Sequence, residues 1–198
     1  MEAREFGVMS VDENMRISRF TEKPANPEAI PDKPDQSLAS MGIYVFTTGF
    51  LYDKLIEDAK DENSDHDFGK NIIPRAIPNS RAMAYTYRDD QGKMAYWRDI
   101  GTVDAYWKAN MELCSIEPEL NLYNQSWPIW TYQVQLPPAK FVFDDEGRRG
   151  EAIDSLVSGG CIIAGAHVKR SVIFFATRIE TCSMVKDSVV LPGVYIGR

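Results

Sequence analysis

The sequence predicts an α/β layer fold followed by a parallel β-helix, and three observations predict it. Strand-like and helix-like stretches alternate through the first 114 residues, the pattern of an α/β architecture. From Asp154 onward apolar residues recur about every six positions, which gives three short faces per coil. Between the two lies a tract of prolines and aromatics with neither period.

Residues 6–11 and 15–20 form an antiparallel strand pair around Asp12-Glu13-Asn14, and the proline-rich stretch 24–36 is loop. Residues 40–46 (Ser-Met-Gly-Ile-Tyr-Val-Phe) read as an apolar strand. Thr47 or Thr48 caps a helix with Phe50, Leu51, Leu55 and Ile56 on one face. A polar loop, 61–67, leads to a short helix over 68–73 that Pro74 closes. Residues 81–87 and 93–98 read as strands joined by Asp89-Asp90-Gln91-Gly92. Thr102 caps a helix through Leu113 whose buried side carries Val103, Tyr106, Trp107 and Met111. The connector 115–152 holds Pro118, Pro128, Pro137 and Pro138 among Tyr123, Trp127, Trp130 and Tyr132, an aromatic content that predicts packing. Its polar stretch 144–151 reads as a hinge.

Over 153–198 the serine-led triplets at Ser155, Ser171 and Ser188 recur at intervals of 16 and 17 residues. Apolar residues at Leu156, Ile162, Val168, Phe174, Ile179, Val185 and Leu191 set the inward face. The competing fold is an antiparallel meander, but Asn-Gly and Asp-Gly hairpin turns are absent. A last coil with unpaired strand edges predicts association.

The chain of 198 residues is 44% hydrophobic and carries a net charge of −7. That balance offers no basic face for nucleic acid, and no apolar run reaches the roughly 18 residues of a membrane span. The polar opening is no secretory signal. Three scattered cysteines, Cys114, Cys161 and Cys182, make neither a zinc spacing nor a disulfide framework. Reduced thiols in a cytoplasmic protein are the expectation.

The stretch Tyr96-Trp-Arg-Asp-Ile-Gly-Thr puts an acid, Asp99, between a strand and a helix, at the sheet edge where α/β proteins bind ligands. Such a carboxylate can hold Mg²⁺ against a phosphate, or can merely sit near a helix N-terminus. Lys23, before Pro24, is expected in an extended conformation. It is either a phosphate-neutralising ammonium or a solvated surface lysine. Its neighbour Glu22 can be a ligand contact or Lys23's ion-pair partner. Adjacent strand residues face opposite sides, so both serve one ligand only if the strand has ended. Ser40 and Tyr44, four apart, share a face, and Tyr44 can equally be core. Asp67 can be a plain helix cap, and Trp97 core.

Four motifs occur in order: Phe20-Thr-Glu-Lys-Pro, Ser40-Met-Gly-Ile-Tyr-Val-Phe, Asp67-Phe-Gly-Lys and Tyr96-Trp-Arg-Asp-Ile-Gly-Thr. Together they resemble the second half of the catalytic domain of sugar-phosphate nucleotidyltransferases. The connector Trp127-Pro-Ile-Trp-Thr-Tyr and the run from Ser155 resemble the glucose-1-phosphate adenylyltransferase (ADP-glucose pyrophosphorylase) branch, and the resemblance covers essentially the whole chain. It implies a Rossmann-like nucleotidyltransferase domain followed by a left-handed parallel β-helix. It implies adenylyl transfer from ATP to glucose 1-phosphate, for glycogen- or starch-type glucan synthesis. Lys23 and Asp99 would be catalytic, with Asp99 a Mg²⁺ ligand. Glu22, Lys23, Ser40, Tyr44, Asp67, Phe68 and Trp97 would hold the sugar phosphate. The family is allosteric and usually tetrameric, which implies a homo-oligomer.

The family's glycine-rich, arginine-bearing nucleotide loop has no counterpart among these residues. The chain therefore reads as a piece cut at both ends, carrying the sugar-phosphate side of the site and inactive alone. Three other readings remain at this point. One is a paralogue using UTP, TTP or GTP. Another is a hexapeptide-repeat acyltransferase with His167 as base. The last is a non-catalytic regulatory or scaffolding homologue.

Overall fold

The computed structural model describes residues 2–30, 33–89, 91–130 and 132–198. Pro31 and Asp32 of the expected loop, Asp90 of the expected turn and Thr131 of the connector lie outside them. The chain divides into two compact units, one ending at Ala95 and the other running from Tyr96 to Arg198.

The first unit is built on a three-stranded antiparallel sheet. Strands β1 (Gly7–Val11) and β2 (Ile17–Glu22) form a hairpin. Asp12 closes it by accepting from the N–H groups of Asn14 and Arg16, both at 2.9 Å. Strand β3 (Leu38–Ala39) adds to the far side of β1. Helix α1 (Thr48–Asp58) follows, then a π-helical turn (Phe68–Ile72), helix α2 (Ile73–Ala76) and a 3₁₀ turn (Ile77–Asn79). The core joins one face of the hairpin to α2, with Ile17, Phe20, Ile73 and Ile77 buried among Met9, Val11, Phe68, Ala82 and Ala84.

Residues 40–46 are not a strand. Gly42 has φ 71°, and its N–H donates to Ser40 Oγ at 3.1 Å, so the chain bends as soon as β3 ends. Val45 is left 97% exposed. Among the described residues the β-rich stretches 81–87 and 93–98 make only the isolated bridges Arg16–Met83 and Arg88–Met94. Residue type alone does not make a strand where no neighbouring ladder completes it. Pro74 does not close the short helix. It lies in the first turn of α2, where its missing N–H costs nothing. Thr47 is the N-cap residue of α1, yet its side chain makes no capping hydrogen bond.

In the second unit helix α3 (Val103–Glu112) starts as expected. Thr102 Oγ1 accepts from the Ala105 N–H at 3.1 Å, a cap worth about 1 kcal/mol. Its expected buried side is not buried, and Val103 is 84% exposed. One polar contact docks the helix: the Trp107 indole N–H donates to the Asp187 carbonyl at 2.9 Å. The connector aromatics Trp127, Trp130 and Tyr132 are exposed rather than packed.

Three parallel ladders form the β-helix. Strands β4 (Lys140–Val142), β9 (Ile162–Ala164), β12 (Arg178–Ile179) and β15 (Tyr195–Ile196) make one. The second comprises β7 (Glu151–Ile153), β10 (His167–Lys169) and β13 (Met184–Lys186). The third comprises β8 (Leu156–Val157), β11 (Val172–Ile173) and β14 (Val189–Val190). The expected hinge is instead a hairpin, β5 (Asp144–Asp145) with β6 (Arg148–Arg149), held by the ion pairs Arg149–Asp144 and Arg148–Asp145.

The inward series is Ala152, Val157, Ile163, Val168, Ile173, Ile179, Val185, Val190 and Ile196. Sequence periodicity had the wrong phase at Ile162, Phe174 and Leu191, where the fully or nearly buried residue is the neighbour, Ile163, Ile173 or Val190. The steps are five or six residues, because residues with positive φ turn the corners. Asp154, Arg170 and Asp187 stack at one corner, with φ of 49°, 42° and 48°. The Arg170 guanidinium donates to both Asp187 oxygens there, at 2.6 and 2.9 Å. The recurring serines form a ladder: Ser155 Oγ accepts from the Ser171 N–H, and Ser171 Oγ from the Ser188 N–H, both at 3.1 Å.

Candidate functional site

The first unit gathers most of the expected ligand residues at one end of its sheet. β2 stops at Glu22, and Lys23 is not extended: its φ is 45°, a left-handed conformation, while its N–H still donates to the Phe6 carbonyl at 3.0 Å. Pro24 disfavours the right-handed helical region for Lys23, and the chain leaves the ladder through the left-handed one instead. That break ends the strict alternation of faces, the condition under which Glu22 and Lys23 can serve one ligand. The lysine ion pairs among the described residues are Lys54–Glu57, Lys70–Asp65 and Lys186–Asp187, so Glu22 and Lys23 are not paired with each other.

Ser40 lies across β1 from this point, with its N–H donating to the Gly7 carbonyl at 2.7 Å, and Gly7 in turn pairs with Glu22. The Ser40 and Tyr44 hydroxyls are 3.0 Å apart. The bend at Gly42, rather than strand periodicity, brings them together. Tyr44 stacks on Phe68 with centroids 6.0 Å apart and rings inclined by 15°, and Phe46 adds a tilted ring at 6.1 Å from Phe68.

Asp67 is the helix cap that its position suggested. Oδ1 accepts from the Lys70 N–H at 2.8 Å, which leaves Oδ2 for a ligand. Gly69 of the Asp-Phe-Gly-Lys motif brings Glu22 and Asp67 together. A Cβ at Gly69 would lie 2.4 Å from Glu22 Oε2 and 3.4 Å from Asp67 Oδ1. Both carboxylates therefore converge on the bare face of one glycine. Glycine weakens a helix interior unless another group must come close, and that was the legible signal. Lys70 supplies a second nearby cation. Its ammonium pKa is raised chiefly by its hydrogen bond to Asp65, with Asp67 and Glu22 contributing.

Trp97 and Asp99 belong to the second unit. Trp97 is half-buried and Asp99 exposed. Asp99 is not spent on capping α3, because Thr102 does that. Its carboxylate folds over Gly101, where a Cβ would stand 3.3 Å from Oδ2, so the glycine of Asp-Ile-Gly-Thr makes room for the acid. Among the described residues no group of three or more His, Cys, Asp or Glu could hold a metal ion. A hydrated Mg²⁺ held by one carboxylate and ligand phosphates needs no such cage, and Asp99 fits that use. No helix is long and apolar enough to cross a membrane, among the described residues.

The first unit thus ends its sheet with two carboxylates over one glycine, next in sequence to a lysine, and the chain continues into a hexad-repeat solenoid. The chain belongs to the nucleotidyl transferase family, whose family model matches residues 1–116. A second family model, GlmU-like C-terminal hexapeptide, matches residues 137–198, in keeping with the expected left-handed parallel β-helix. The chain is 64% identical over 197 residues to the glucose-1-phosphate adenylyltransferase of Thiobacillus denitrificans, covering 100% of this chain and 45% of the relative. Against the enzyme of the same name from Hydrogenovibrio crunogenus the identity is 63% over 198 residues, with 100% and 47% covered. The Methylococcus capsulatus enzyme is 58% identical over 198 residues, again with 100% and 47% covered. The chain thus spans about half the length of the curated relatives it matches.

Proposed function

We propose that these residues form the sugar-phosphate side of a glucose-1-phosphate adenylyltransferase. The reaction joins a phosphate oxygen of glucose 1-phosphate to the α-phosphorus of ATP and breaks the bond to the β-phosphate, releasing pyrophosphate and ADP-glucose. Such transfers need positioning and charge neutralisation more than covalent help. Lys23 neutralises the sugar phosphate. Glu22 and Asp67 accept hydrogen bonds from glucose hydroxyls, while Ser40, Tyr44 and Phe68 line the pocket and Trp97 shields the ring. Asp99 is the carboxylate for Mg²⁺, which when bound supplies positive charge for the phosphate oxygens. The observation that carries the reading is the convergence of Glu22 and Asp67 on Gly69, beside a lysine that turns out of the strand in the left-handed conformation. The identity to adenylyltransferases over the whole chain supports ATP as the nucleotide. The composition supports a cytoplasmic setting.

Grafting these 198 residues onto the remainder of the Thiobacillus denitrificans enzyme tests the proposal. The chimera is expected to form ADP-glucose from ATP and glucose 1-phosphate, and to lose that activity with Lys23→Ala or Asp99→Asn. A folded chimera that prefers another sugar phosphate, or that tolerates both substitutions, refutes it. The 198 residues alone are expected to bind glucose 1-phosphate without turning over ATP, since they contain no glycine-rich, arginine-bearing nucleotide loop.

A further inference from the structure

Among the described residues Asp58 is the only buried charged side chain, 5% exposed. Its position is unfavourable twice over. It stands in the last turn of α1, at the negative end of the helix dipole, and burial withdraws its charge from water. Three donors offset this. Ser64 Oγ donates at 2.6 Å, His66 Nδ1 at 2.9 Å and the Arg75 guanidinium at 3.3 Å. Arg75 also reaches Asp61 at 2.7 Å, and Ser64 Oγ accepts the backbone N–H of His66 at 3.1 Å. The loop from Asp61 to His66 is thereby tied to α1 and α2 through the Asp58 carboxylate, with the Arg75–Asp61 pair as a second tie. His66 is held at φ 55°, a conformation unfavourable for a residue with a Cβ, and its ring remains largely exposed. The next residue is Asp67.

We infer that Asp58 and His66 are positioning residues, a strap that sets the backbone at residue 66 and so aims the Asp67 carboxylate at the sugar. The inference rests on the reading of Asp67 as a monosaccharide contact. A loop that needed only to be covered would not require a buried acid at the wrong end of a helix and a left-handed histidine. Both features follow if the direction in which the chain enters the π-helical turn must be fixed. Asp58 touches no ligand and acts through His66 and Ser64. Asn suits the left-handed region, and its side-chain amide can occupy the place of the imidazole Nδ1–H, so His66→Asn is the conservative replacement.

The test is calorimetric titration of the 198-residue chain with glucose 1-phosphate and, separately, with inorganic phosphate, which has no sugar hydroxyls for Asp67 to read. Asp58→Asn and His66→Ala are expected to weaken glucose 1-phosphate binding about tenfold, the loss of one hydrogen bond to a charged acceptor. Inorganic phosphate affinity stays unchanged, and His66→Asn restores the sugar affinity. Should Asp58→Asn fail to fold, the exposed position 66 carries the test. Folded variants that keep full sugar affinity overturn the inference. So does an equal loss of both ligands, which marks general damage to the site. The control Asp67→Ala separates the two levels: if it leaves glucose 1-phosphate affinity intact, the sugar contact itself is wrong and the strap falls with it.

Discussion

Gly69→Ala separates binding from stability with a single methyl group. The added Cβ would sit 2.4 Å from Glu22 Oε2 and 3.1 Å from Glu22 Cδ, distances at which something must move. The obstacle is the far end of a flexible side chain rather than backbone, so Glu22 swings aside and the fold survives. Gly69 lies inside a helical turn with a φ that alanine accepts. The unfolded chain loses freedom, and the substitution is worth roughly 0.5–1 kcal/mol in favour of folding before the displaced carboxylate is counted. The ligand loses a hydrogen bond to a charged acceptor, about 1.5–3 kcal/mol. At 1.4 kcal/mol per decade that is about a tenfold to 150-fold rise in Kd for glucose 1-phosphate. Calorimetric titration gives the affinity and thermal unfolding the stability. A variant that binds the sugar phosphate as tightly as the unsubstituted chain refutes the convergence of Glu22 and Asp67 on a ligand. A variant that unfolds refutes the claim that Glu22 is free to yield.

Lys23→Gln keeps length and removes charge, so glucose 1-phosphate affinity should fall at least tenfold and lose most of its dependence on ionic strength, as read by titration at two salt concentrations. Ile179→Ala removes a fully buried side chain from the β-helix and should cost about 2–5 kcal/mol in denaturant unfolding. The hydrogen bond from Ser64, then that from His66, holds the Asp58 carboxyl pKa below its usual value. The stability this contributes is present above the ordinary aspartate range and is lost as pH falls through the depressed value. Acid unfolding followed by circular dichroism should therefore be shallower in Asp58→Asn. Light scattering of the 198 residues should show concentration-dependent association through the open edges of β13, β14 and β15.

The elements legible in the sequence were those whose signals are local. Thr102 and Asp67 announced their caps by residue type and position, and both caps form. The hexad spacing reveals the solenoid, although its phase slips because the corners at Arg170 and Asp187 take five residues where the period has six. The strands expected at 40–46, 81–87 and 93–98 do not form, since a ladder depends on a partner that residue type does not specify. In the site, motif residues such as Glu22 and Tyr44 stood out, but the means of gathering them did not. Lys23 was expected to be extended on the strength of Pro24, and the left-handed turn it takes instead is set by the end of the β1–β2 pairing. Asp58 resembles any polar residue on a helix until its burial is seen.

The two coils differ in length by one residue, and the difference has one address. From Ile163 to Val168 the path takes five steps, and from Ile179 to Val185 it takes six. The surplus falls at the corner that Gly165 turns in one coil and Cys182 in the next. The flat ladders on either side keep their register, Val168 opposite Val185 and Ile163 opposite Ile179. Deletions and duplications can therefore accumulate at this vertex without disturbing the stack, and an engineer wishing to graft a foreign peptide onto the solenoid should open the chain there.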